Sequence, residues 1–202
     1  MNIIPSDKKK IKARIREYER KMQKQKELIG GIDDGAGNRY LLGPLYMLLD
    51  DIEGALKSFE WFDREFPDDS GDLLQYVCWA IVLKRARQNA AASEKLLATV
   101  MQNVYIIPFI LGRKIEREDM WHASNIEDVD YLGYIPDEIM KALTEADKKW
   151  IANEYDKERT QIVRAKYVAL HRDLDDLPVG PERSRAVEQV FRMKDLDFEG
   201  IL

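Results

Sequence analysis

The chain has 202 residues, of which 45% are hydrophobic, 34% charged and 9% aromatic, with a formal net charge of -5; this composition excludes disordered, collagen-like and disulfide-scaffold classes and suits one domain or two small ones. A chain of this size hides about 70% of the surface its unfolded state exposes, so it can build a core without a metal or disulfide. No uncharged apolar run nears the roughly 20 residues of a membrane span, Cys78 is the sole cysteine, and residues 1–5 lead straight into charge without an apolar leader core, so the expected compartment is the cytoplasm.

Charge divides at the first glycine cluster. Residues 1–29 hold ten Lys or Arg against four Asp or Glu, a balance of +6, and the remainder carries -11. Within this basic arm Ile11, Ile15, Tyr18, Met22 and Ile29 follow an a/d spacing broken only at Gln25, which predicts an amphipathic helix over about 7–28. A narrow seam of this kind is stable when something covers it, and the candidates are the acidic body or a second copy of the chain. Lys8, Lys9, Lys10, Lys12, Arg14 and Arg16 are candidate phosphate contacts should the arm meet a nucleic acid, although Tyr18 is its one aromatic residue. Gly30, Gly31, Gly35 and Gly37 then end the helix and predict a hinge over 30–38.

From Arg39 onward apolar residues recur at three- and four-residue intervals, which predicts helices near 39–50, 52–65, 71–86, 90–102, 105–112, 125–133, 136–155 with continuation to 174, and 181–194. Pro136 with two acids opens one helix, and Thr144 with Asp147 forms a capping-box pattern, so the stretch from 136 reads either as one helix or as two with a break near Leu143. Pro178 to Pro181 stops helix, which divides the rest into a helical domain over 39–177 and a C-terminal helix and tail over 178–202. The tail after Asp195 either docks or frays.

Residues 36–69 carry Leu42-Gly43, Tyr46, Ala55, Phe59 and Pro67 in the register of a 34-residue helix-turn-helix unit. The segment resembles a tetratricopeptide (TPR) repeat, with Arg39 where Trp is usual and Phe62 where a small residue is usual. A weaker second copy places Ala80 at the Tyr46 position and Ala92 with Leu96 at the Ala55 and Phe59 spacing. The following Asn103-Val104-Tyr105-Ile106-Ile107-Pro108 and Leu111-Gly112 are similar to a poorly characterised TPR-like group whose repeat pair ends in Asn-Pro-Tyr-Val-Pro and then Leu-Leu-Gly. The resemblance covers about 38–152 and implies an all-α fold of antiparallel TPR-like hairpins, an α-α superhelix, with the basic N-terminal helix and extra C-terminal helices outside it. It also implies a ligand groove along Tyr40, Pro44, Met47 and Leu48, continued near Leu74, Cys78, Ile81 and Val82.

Chemistry-bearing constellations are sparse. His122 and His171 lie about 50 residues apart, and nothing in their spacing brings Cys78 to either. Cys78 sits in a wholly apolar run and reads as a core residue, and His122 as an ordinary surface or cap residue. The Asp33-Asp34-Gly35 segment lacks the closing Glu of a calcium loop and the Lys-Ser/Thr of a phosphate loop. The expectation is a protein without catalytic residues, metal, cofactor or small-molecule substrate. It would act as an interaction or scaffold module for a protein partner or for itself through apolar helical surfaces, the alternative being a nucleic-acid-associated protein using the basic arm.

Overall fold

The computed structural model describes residues 4–201, and among these every regular element is helical. The α-helices are α1 (Lys8–Ile29), α2 (Asn38–Leu48), α3 (Ile52–Glu65), α4 (Leu73–Arg85), α5 (Asn89–Gln102), α6 (Ile106–Ile110), α7 (Asp137–Ala142), α8 (Glu145–Tyr155), α9 (Glu158–Asp176) and α10 (Pro181–Lys194). They divide into two compact units. One runs up to Ala92 and includes Ile135–Leu143, and the other holds Ser93–Tyr134 and the chain from Thr144 onward.

In the first unit α2 is central, with α1, α3, α4 and α7 all packed against it. Asp7 caps α1 by accepting the Lys10 N–H at 2.9 Å, and Gly30 stops it at φ 72° with its N–H on the Lys26 carbonyl. The seam residues Ile11, Ile15, Tyr18 and Met22 are buried, so the basic helix is covered within the chain. Ile29 departs from the predicted seam: it is 68% exposed beside equally exposed Leu28.

The residues 30–38 form a pinned connection. Buried Asp34 accepts the Arg39 N–H at 2.6 Å and the Asn38 side-chain amide at 2.8 Å, which supplies the start of α2 with the acceptor that Gly37 lacks. The Arg39 guanidinium lies 4.3 Å from the Tyr40 ring centroid and 5.0 Å from that of Phe66, and its Nε donates to Asp69 at 2.8 Å. This flat group thus occupies ring-stacking space while closing the start of α2 onto the end of α3.

Helices α2 and α3 fold back on each other through residues 49–51, Asp51 capping α3 through the Gly54 N–H. A methyl group built on Gly43 would lie 2.1 Å from Phe59 Cε1, and one on Gly54 2.6 Å from Tyr46 Cδ1, so each helix gives a glycine to the other's aromatic ring. Leu42, Ala55, Phe59, Trp79 and Leu96 are buried, and Phe59 stacks on Trp79 at 4.9 Å. Tyr46 is half-buried, its hydroxyl reaching out to Glu19 of α1.

In the second unit Asn103 is buried and clamps the chain that follows α6. Its side-chain amide donates to the Ile126 and Asp128 carbonyls at 2.6 and 3.0 Å while its oxygen accepts the Tyr105 N–H. Where one helix was expected over 125–133, two 3-10 segments, Asn125–Glu127 and Val129–Tyr134, stand instead. The Thr144 and Asp147 capping box is formed at the start of α8, which settles the stretch from 136 as separate helices. A further break at Asp156 and Lys157, absent from the expectation, is held by bidentate pairing of Arg113 with Asp156 at 2.6 and 2.7 Å. The tail docks in part: Arg192 holds Asp197 at 2.7 Å and Ile201 is buried.

Candidate functional site, a basic cleft flanked by α1 and α3

In the first unit, side chains at three- and four-residue intervals on α1 and α3 face one another across a cleft of about 700 Å³, with Leu42 and Tyr46 of α2 between them. Helix α1 presents Arg16, Glu19, Arg20, Gln23 and Lys26, and α3 presents Lys57, Ser58, Trp61, Arg64 and Glu65. One end is bridged by Lys26 Nζ on Glu65 at 2.5 Å.

Five cationic side chains and two carboxylates line this cleft, and both carboxylates are engaged. Glu19 accepts the Tyr46 hydroxyl at 2.6 Å, which together with the larger effect of burial raises the Tyr46 ionisation well above the phenol range. Glu65 takes Lys26, with Arg64 Nε at 3.5 Å, and the Lys26 bond holds its carboxyl below the ordinary range. Lys57 pairs with Glu53 at 2.6 Å. Arg16 and Arg20 are exposed and have no carboxylate partner among the described residues. Ser58 is only 8% exposed, and its Oγ has no hydrogen-bond partner. The arrangement therefore offers unspent positive charge and an indole to an anionic ligand with some apolar surface.

Of the sequence-derived groove positions, Pro44, Met47, Leu74, Cys78, Ile81 and Val82 are buried, while Tyr40 and Leu48 keep partial exposure. The Tyr40 hydroxyl is spent on Asp69 at 2.8 Å; burial, followed by that bond, pushes its ionisation up to about 12. Burial also drives the Cys78 thiol far above its usual range. Among the candidate phosphate contacts, Lys8, Lys9, Lys10 and Lys12 are exposed, Arg14 is half-buried, and Arg16 alone reaches the cleft. The cleft was not legible in the sequence, because Arg20, Lys57, Ser58 and Trp61 come from two helices whose charged faces look like ordinary solvated surface until α2 brings them opposite one another.

The second unit holds a buried polar cluster. Glu127 accepts the Ala123 N–H at 2.6 Å and Lys194 at 2.5 Å, and lies 3.4 Å from the Tyr167 hydroxyl. His171 is fully buried with its ring centroid 4.3 Å from that of Tyr167. The Trp121 carbonyl, 2.7 Å from Nδ1, can only accept, so Nδ1 carries the proton and Nε2 is left as a buried acceptor without a partner. His122 keeps partial exposure, although its Nε2 is buried and unpartnered. Among the described residues no group of three or more His, Cys, Asp or Glu side chains is placed to hold a metal ion, and no helix is long and apolar enough to cross a membrane.

No protein family, no characterised protein and no solved structure matches the chain.

Proposed function

We propose that this chain is a TPR-like helical interaction module whose first unit binds a partner protein at the cleft flanked by α1 and α3. The observation that carries this reading is the opposition of unpaired Arg16 and Arg20 to Trp61 across a cleft of about 700 Å³. Supporting the repeat reading are the paired glycine and aromatic contacts of α2 with α3, the close approach for which such repeats use small residues. The route through apolar helical surfaces gives way to the cleft, since most of the apolar groove candidates are buried and the α1 seam is covered by the chain itself. A cytoplasmic, non-enzymatic role belongs to the same reading.

A photoreactive side chain at Lys57, which is exposed beside the cleft, tests it. Cross-links to a protein species that untagged intact chain competes away, and that are absent with the same group at the 97% exposed Val179, are expected. Cross-linking to nucleic acid instead, with heparin retention lost at moderate salt, would favour the exposed lysines of α1 and contradict this reading.

A further inference from the structure

We infer that the cleft takes an acidic, internal segment of its partner, two side-chain carboxylates binding Arg16 and Arg20 while a neighbouring apolar side chain rests on Trp61. This deepens the protein-binding reading above and rests on it.

Charge complementarity selects the ligand. The two carboxylates of the cleft are already satisfied by Tyr46, Lys26 and Arg64, and the two arginines are not. Arg16 and Arg20 stand four residues apart on one helix, about 6 Å between side-chain origins. In an extended peptide, residues two apart lie on the same side and are separated by about 6.8 Å. An acid-x-acid pattern therefore meets both guanidiniums at once, and each can take a carboxylate through paired N–H donors. The half-buried Trp61 ring gives such a segment an apolar surface. A polynucleotide fits less well, because a single indole offers no platform for successive bases. Terminal carboxylates are unnecessary to this geometry, since the pairing needs two anions at a fixed separation.

The test uses fluorescein-labelled octapeptides, acetylated and amidated at their ends, with Glu-x-Glu flanking a central Leu, and the matched peptides carrying Gln or Lys in place of Glu. Binding to the intact chain is read by anisotropy at low and moderate salt. The acidic peptide should bind at least about tenfold more tightly than the Gln peptide. The R16E/R20E variant should lose the acidic peptide and gain the Lys peptide. Both positions are exposed, and an unchanged melting curve separates loss of binding from loss of fold; R16Q/R20Q, which adds no negative charge, should lose the acidic peptide without gaining the basic one. Equal affinity for the Glu and Gln peptides, preference for a single-stranded oligonucleotide, or undiminished binding by the folded R16E/R20E chain would overturn the inference. If no octapeptide binds while Lys57 still cross-links a protein, the acidic-segment inference fails and the interaction reading stands; if both are absent, both fail.

Discussion

The Tyr46 hydroxyl donates to the Glu19 carboxylate at 2.6 Å and so joins the hairpin of α2 and α3 to the basic N-terminal helix. The contact has two consequences. It keeps Tyr46 at the edge of the core, and it removes Glu19 as a counter-ion for the neighbouring arginines. Tyr46→Phe keeps the ring against Gly54 and deletes the bond, so it should cost about 0.5–1.5 kcal/mol in a urea titration. Released Glu19 would then be free to pair with Arg16 or Arg20, and binding of the acidic octapeptide should weaken.

Phe59 and Gly43 occupy one another's space, a Cβ at position 43 falling 2.1 Å from the ring. Gly43→Ala should therefore destabilise by about 1–3 kcal/mol through overpacking, although alanine favours helix. Phe59→Ala should cost about 3–5 kcal/mol, since the ring is fully buried on Gly43 and Trp79. Chemical denaturation of both variants checks this, and wild-type stability in either would contradict the packing described for α2 and α3.

These contacts show what the sequence could and could not disclose. Gly43, Ala55 and Phe59 were legible because close helix pairing demands small and large residues at fixed helical intervals. The α1 seam was legible through Met22 for the same reason, whereas Ile29 kept the spacing without a surface to meet. Residues 125–134 carried helical periodicity, yet Asn103 spends its side chain on the Ile126 and Asp128 carbonyls and holds the segment in tight turns. Most of the cleft was illegible because a solvated charged face and one wall of a binding site have the same pattern until the opposite wall is known.

His171 should make stability depend on pH. Burial, the largest influence, lowers its pKa below the ordinary value, aided by Lys194 and His122 and opposed by the Trp121 carbonyl and Glu127; Tyr167 packs on the ring. The folded state thus binds the proton less readily than an unfolded chain, whose imidazole titrates near about 6.5. The contribution is present above that pH and is lost as pH falls through the lowered folded value, by up to about 1.4 kcal/mol per pH unit. Urea midpoints should drop between neutral and mildly acidic pH, and His171→Gln should flatten the drop. An equally steep decline in that variant would contradict the assignment.

Glu127 is buried with Lys194 as its charged partner, so Glu127→Gln leaves an ammonium without its counter-charge. The substitution should cost about 2–3 kcal/mol, less than a complete loss because the amide oxygen still accepts the Ala123 N–H. Thermal unfolding of the variant measures this, and an unchanged midpoint would show that the pair contributes little.

In the proposed binding mode the partner segment sits between α1 and α3. Amide hydrogen exchange of the intact chain, with and without saturating acidic octapeptide, tests it most directly. Slowed exchange confined to residues 16–26 and 54–65 is the predicted result. Protection that instead falls on α9 or α10, or binding that leaves α1 and α3 unchanged, would contradict the account.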